Sequence, residues 1–139
     1  DSNPYENLNS LGKQLAEELH PGTIFYLHGE LGAGKTTLVR GLLQSLGHTG
    51  TVKSPTFTIV EAYEELTIPV YHFDLYRLGC AEELEYMGLR DYLRNYSICI
   101  FEWAENGKGY LPSPDIQLKL AFKDTGREAY ITTRDHNAK

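Results

Sequence analysis

Leu8, Leu11, Leu15 and Leu19 recur at helical spacing, with Lys13, Glu17 and Glu18 off that stripe. The pattern predicts an amphipathic helix stopped by Pro21-Gly22, with Gly12 as a weak point inside it. Thr23 to His28 is an apolar, β-type run. From about Lys35 to Leu46 the period returns to helical, with Leu38, Leu42, Leu43 and Leu46 on one side and Gly47 placed as a C-cap. Beyond Thr56, Phe57-Thr58-Ile59-Val60 and Ile68-Pro69-Val70-Tyr71-His72-Phe73 read as two strands around the polar turn Glu64-Glu65. Pro69 puts the second near an edge or a strand start. Short helices follow, from Ala81 to Met87 and from about Leu89 to Tyr96. Ser97-Ile98-Cys99-Ile100-Phe101 is then a buried strand, and Gly107, Gly109, Pro112 and Pro114 mark a loop. Ile116, Leu118, Leu120 and Phe122 alternate cleanly. With the turn Lys123-Asp124-Thr125-Gly126 and Ala129-Tyr130-Ile131 they predict a terminal hairpin with one wet face. No internal repeat, low-complexity tract or linker interrupts the chain. The expected class is α/β: one domain over 1–139, with a parallel sheet core, antiparallel additions and flanking helices.

Composition narrows this picture. A chain of 139 residues buries roughly 68–70% of its unfolded surface, enough for a core without staples. A net charge of −6 and a pI near 5.3 argue against a stand-alone nucleic-acid binder, which needs a basic face to displace counterions. No apolar run approaches the ~20 residues that span a bilayer. The start, Asp1-Ser2-Asn3-Pro4, has neither a basic nor an apolar leader region. No secretory signal and no membrane association are therefore expected, the end without Met reads as trimmed, and the expected location is cytoplasmic. Cys80 and Cys99 match neither C-x-x-C nor zinc-ligand spacing and read as reduced thiols.

The chemistry is concentrated in Gly29-Glu30-Leu31-Gly32-Ala33-Gly34-Lys35-Thr36, a complete G-x-x-x-x-G-K-[ST] loop between the first predicted strand and the second predicted helix. Glycines let backbone N–H groups curl around a phosphate without a Cβ in the way. Lys35 offers a point charge to the β- and γ-phosphates. The Thr36 hydroxyl can ligate Mg²⁺, and the helix aims its positive end at the anion. The expectation is a P-loop NTPase-like sheet that binds a nucleoside triphosphate with Mg²⁺. No N-K-x-D guanine box is present, so ATP is the default.

Such a loop needs an acid at the end of another strand. Glu102 after Ile98–Phe101 and Asp74 after Val70–Phe73 both qualify. Glu102 is the better metal candidate, since its strand reads as fully buried. Asp74 can position an attacking water, support the metal from behind, or stand as a solvated strand-end acid. Lys53-Ser54-Pro55-Thr56 occupies the place of a switch loop. There Thr56 is either a γ-phosphate or Mg²⁺ contact or part of a turn leading into a strand. Trp103, the sole tryptophan, either lines the nucleotide pocket or packs at the strand end. His72 shares a strand face with Asp74 and reads as a local hydrogen-bonding partner, a pair being too few for structural zinc. Arg90 and Arg94 with Tyr86, Tyr92 and Tyr96 form either a basic, aromatic docking face or half-buried tyrosines beside solvated arginines.

Gly29 to Thr37, Val52-Lys53-Ser54-Pro55-Thr56-Phe57-Thr58, His72-Phe73-Asp74-Leu75-Tyr76-Arg77 and Phe101-Glu102-Trp103 occur in that order, with Glu82-Glu83-Leu84-Glu85 and Gly126-Arg127-Glu128. Together they resemble the bacterial TsaE (YjeE) family from about residue 20 to 130. The resemblance implies an ATPase subunit of the machinery that installs threonylcarbamoyl on the adenosine next to the anticodon of certain tRNAs. It implies partnership with a two-subunit threonylcarbamoyl-transferase complex, with tRNA reached through those partners; the sequence itself, with no long lid and no clear arginine finger, predicts slow hydrolysis by the chain alone. It implies Mg²⁺ on Thr36 and Glu102, and a catalytic set of Lys35, Asp74 and Glu102. Nucleotide contacts would come from Gly29, Glu30, Leu31, Gly32, Ala33, Gly34, Lys35, Thr36 and Thr37, with Thr56, Trp103 and Arg127. Glu30 stands where Asp is common. Tyr5 and Glu6 are possible base contacts near the N-terminus. Two other readings stay open: a small-molecule P-loop kinase using Arg90 and Arg94, and a nucleotide-gated binding module with negligible turnover.

Overall fold

In a computed structural model, residues 4–29, 34–93, 96–123 and 126–133 are described, without the side chains of 4–7, 9, 122, 123 and 126–128. The elements run α1 (Pro4–Ala16), β1 (Ile24–Gly29), α2 (Lys35–Ser45), β2 (Val60–Tyr63), β3 (Val70–Asp74), α3 (Glu83–Tyr86), α4 (Leu89–Leu93) and β4 (Ile98–Glu102). A 3-10 turn (Ala104–Gly107), β5 (Ile116–Lys123) and β6 (Gly126–Thr133) complete the order. The six strands form one sheet in the order β2-β3-β4-β1-β5-β6. β3, β4, β1 and β5 are mutually parallel, and the outer strands β2 and β6 pair antiparallel. The class is the expected mixed α/β sheet flanked by helices.

Alternation along the strands divides the core into two faces. Phe25, Leu27, Ile98, Ile100, Val70, Ile116, Leu118 and Leu120 join the leucines of α1 and α2 in one cluster. Tyr71, Phe73, Cys99 and Phe101 join Leu75, Leu84, Leu89 and Ala104 in the other. Phe73 stacks on Phe101, 4.7 Å between centroids and 18° between planes, which ties β3 to β4 on that second face. Each fully buried Leu or Phe contributes about 1.5–3 kcal/mol of transfer free energy.

Gly12 reads in the sequence as a weakness of α1, yet the packing requires it. A Cβ there would lie 2.3 Å from the Leu38 carbonyl oxygen and 2.8 Å from the Leu42 nitrogen. The missing side chain lets α1 and α2 approach backbone to backbone. α1 ends at Ala16 rather than at Pro21-Gly22, and Leu19 stays in the core on a run of single-turn hydrogen bonds.

Two other expectations change, and two positions left open are now placed. Phe57–Ile59 is not strand: the Ile59 N–H donates to the Pro55 carbonyl at 2.8 Å and Ile59 takes a left-handed φ of 70°, so β2 begins at Val60. Tyr92 is half-buried, as one of the two readings of that face had it, edge-on to Tyr71 at 4.8 Å and to Phe73 at 5.3 Å. Tyr86 and Tyr96 remain exposed, and Arg94 lies outside the described residues. The terminal hairpin is present, but β6 is exposed at 129–133 on both sides, whereas β5 keeps its alternation. Pro69 is a strand-start proline, immediately before β3, which lies inside the sheet.

Candidate functional site

The two faces meet at the rim where the parallel strands end. On the α1/α2 face β4 reads Ile98, Ile100, Glu102 and β3 reads Val70, His72, Asp74. Each grades from aliphatic to charged toward that rim. Parallel register sets Asp74 beside Glu102. β1 ends in Gly29 at the same rim, and α2 starts from it at Lys35. A sheet whose neighbouring strands end together thus delivers two carboxylates to the mouth of the glycine-rich loop.

The loop's described ends carry the expected geometry. Gly34 is left-handed, φ 97° and ψ 17°, and caps α2 without a side chain. A residue with a Cβ is strained there, and Gly34 itself makes no side-chain cap to the first turn of α2. Glu30, Leu31, Gly32 and Ala33 lie outside the described residues. Thr36 is exposed and Thr37 half-buried at the start of α2.

Glu102 is the centre of the site. Its Oε1 lies 3.2 Å from the Lys35 Nζ, and its Oε2 lies 2.6 Å from the His72 Nε2. Burial pushes the Glu102 carboxyl up, but the hydrogen bond and charge from His72, and then the Lys35 ammonium, outweigh it. The group titrates below the ordinary glutamate range. Asp74 is equally buried, at 6% exposure. Its Oδ1 accepts from the Tyr76 N–H at 3.0 Å, and its own N–H donates to the Ile59 carbonyl at 2.8 Å. Asp74 is thereby fastened to the segment that precedes β2. A β-branched residue at positive φ, as at Ile59, is a backbone outlier costing about 1–3 kcal/mol.

Trp103 leaves β4 in a left-handed conformation, φ 58°. Its ring lies 5.6 Å from the Lys35 Nζ and 4.9 Å from the Tyr76 ring. Beside it opens a cleft of about 300 Å³ lined by Gly29, Lys35, Trp103, Glu105 and Lys119 among others. Trp103 both lines this cleft and packs against the aromatic core at the end of β4. Glu105 and Lys119 escaped the sequence reading. Lys119 sits at an outward position of an alternating strand, where a lysine carries no motif, and only its pairing with His28 across β1 and β5 brings it to the rim.

Thr56 is half-buried, with its hydroxyl 2.7 Å from that of Ser54, and stands outside the Lys35–Glu102–His72 chain of contacts. Phe57, 79% exposed, packs its ring under the Arg77 guanidinium at 4.5 Å. Arg127 pairs with Phe122 at the hairpin's turn end. That end lies beyond the rim, because β5 runs parallel to β1 and passes Gly29 at Leu120. The Arg127 side chain is outside the described residues. Asn106 donates from Nδ2 to the Leu75 carbonyl at 3.0 Å, an anchor for the turn after Trp103.

Among the described residues, no three or more His, Cys, Asp or Glu side chains converge into a self-sufficient metal site. What the rim offers is a hydroxyl and two carboxylates near the glycine-rich loop, all hard oxygen donors. This set fits Mg²⁺, which is bound by one or two protein oxygens, retained waters and substrate phosphates rather than by an all-protein cage. No helix is long and apolar enough to cross a membrane among the described residues.

The sequence model of the family described as "Threonylcarbamoyl adenosine biosynthesis protein TsaE" matches residues 2–129. The tRNA threonylcarbamoyladenosine biosynthesis protein TsaE of Haemophilus influenzae is 49% identical over 133 residues, covering 92% of this chain and 84% of that protein. The protein of the same name from Bacillus subtilis is 40% identical over 115 residues, covering 83% of this chain and 72% of the relative. A crystal structure of Bacillus subtilis YdiB superposes with a TM-score of 0.80 at 33% identity, covering 99% of this chain and 84% of that one.

Proposed function

The chain belongs to the TsaE family, and from that premise we propose that it is a Mg²⁺-dependent ATPase serving threonylcarbamoyladenosine formation in tRNA. The observation that carries the ATPase reading is the 3.2 Å contact between Lys35 Nζ and Glu102 Oε1. The lysine of the phosphate loop and the acid of a neighbouring strand meet at one point, where triphosphate and metal would stand between them.

In this reading Lys35 and the N–H groups at the start of α2 hold the β- and γ-phosphates. Thr36 and Glu102 hold Mg²⁺, which neutralises charge on the phosphates when bound. Asp74, fixed by Tyr76 and Ile59, orients the attacking water. Trp103 and Lys119 border the nucleotide, and Arg127 and Thr56 approach it from the hairpin and from the loop before β2. Phosphoryl transfer rests on positioning and charge neutralisation. A site without a clear arginine finger turns over several orders of magnitude below a completed one. We therefore expect slow hydrolysis alone and a rate that changes when a two-subunit transferase complex binds. With a net charge of −6, the chain is poorly suited to hold tRNA by itself, and the partners would carry it.

Phosphate release by the purified chain, alone and with the two partner subunits and tRNA, tests this. The expected result is a slow basal rate that changes on adding partners. Fast hydrolysis indifferent to them, or tight tRNA binding by the isolated chain at physiological salt, overturns it.

A further inference from the structure

His72 occupies the middle of β3, 2% exposed, in register with Ile100 of β4 on one side and Glu61 of β2 on the other. A buried imidazole there is costly, and among the described residues its Nδ1 has no hydrogen-bond partner. A leucine would suit the position better as core. The one thing the imidazole supplies is the contact from Nε2 to Glu102 Oε2 at 2.6 Å. A carboxylate only accepts, so Nε2 carries the shared proton in either charge state of the ring.

The two oxygens of Glu102 therefore have partners of opposite character. Oε2 is held by a ring locked into the core between β-strands. Oε1 faces Lys35, a flexible side chain that belongs to the phosphate loop. When phosphates draw Lys35 away, Oε1 is released and Oε2 is not. We propose that His72 is a positioning residue for Glu102, fixing its carboxylate so that a single oxygen is presented to Mg²⁺ in exchange for Lys35. This rests on the reading of Glu102 as a Mg²⁺ ligand. Ligating carboxylates are commonly oriented by such a hydrogen bond, and its loss costs about 10–100-fold in metal affinity.

The test uses ADP binding by calorimetry, in EDTA and across a Mg²⁺ titration, on the parent, His72→Leu and His72→Gln. Leu fills volume without a donor, whereas the Gln amide nitrogen falls near the place of the ring Nε2. His72→Leu is expected to keep metal-free ADP affinity and to raise the Mg²⁺ midpoint about 10–100-fold, with Gln restoring most of it. A parent-like midpoint in His72→Leu, or equal shifts in both variants, overturns the proposal while leaving the site reading intact. ADP affinity of the parent indifferent to Mg²⁺ overturns the site reading itself. Should His72→Leu fail to fold, the side-chain ¹⁵N–¹H signal of His72 in the parent decides. It is expected on Nε2 and should move with Mg²⁺·ADP more than with ADP in EDTA. An equal response to both overturns the proposal.

Discussion

The two faces of the sheet solve different problems. The α1/α2 face is aliphatic and covered by the two longest helices, and its side chains change from Ile and Val to His, Glu and Asp along the strands. The opposite face is aromatic, with Tyr71, Phe73 and Phe101 under short helices and loops. It stacks Phe73 on Phe101 across β3 and β4, while the strand-end carboxylates Asp74 and Glu102 lie on the other face. The first face thus positions charge, and the second positions the strands that bear it. Chemistry can be continuous with a core when the polar positions fall at the strand ends, within reach of a helix N-terminus.

Breaking the aromatic face should have the largest effect on stability. Phe73→Ala removes the stacked partner of Phe101 and one wall around Tyr92, and should cost about 3–5 kcal/mol. Urea unfolding measures it, and a loss under 1 kcal/mol would assign little of the sheet's alignment to this face.

Gly12→Ala strikes the other face. Its new Cβ meets backbone atoms that cannot step aside, and overpacking of this kind costs about 1–3 kcal/mol. The urea midpoint should fall at an unchanged slope. A parent-like midpoint would mean that α1 and α2 do not sit this close.

At the rim, Lys35→Ala should weaken ADP binding at least tenfold, from the roughly 1.5–3 kcal/mol of a hydrogen bond to a charged group, while the protein stays folded because His72 still holds Glu102. Calorimetry reads the affinity, and an unchanged value rejects the phosphate-loop assignment. Glu102→Gln and Asp74→Asn should reduce hydrolysis more than binding. If Asp74→Asn hydrolyses like the parent, the fastening of Asp74 to Tyr76 and Ile59 is purely structural.

A smaller signal separates the faces chemically. Burial pushes the Cys99 thiol up to about 11, so at pH 8 it stays protonated and unreactive, while Cys80 is exposed. Iodoacetamide at pH 8 should modify Cys80 in the native protein and Cys99 only after denaturation, as mass spectrometry would show. Native modification of Cys99 would mean that the aromatic face opens readily. Trp103 emission should also change on adding ADP, given its place at the cleft beside Lys35, and a constant spectrum at saturation would detach the ring from the nucleotide.

Local chemistry sufficed for much of this protein. The glycine-rich loop, the leucine periods of α1 and α2, the apolar run ending in Glu102 and the alternation of β5 are short-range patterns with short-range causes, namely steric freedom, period and burial. What neighbours in sequence cannot express was left to the tertiary structure. Gly12 is a poor helix residue until α2 lies against it. Phe57–Ile59 has strand composition, but the bond from Ile59 to Pro55 closes a turn first. Tyr92 joins the core only because β3 carries two rings to meet it. His72 was legible as a hydrogen-bonding residue, but its partner lies thirty positions on, in a strand that becomes adjacent only through the parallel β3–β4 pairing. Patterns within a turn or a strand follow from the chain itself. Contacts between elements depend on strand order and register, which are set by the summed packing of the whole sheet.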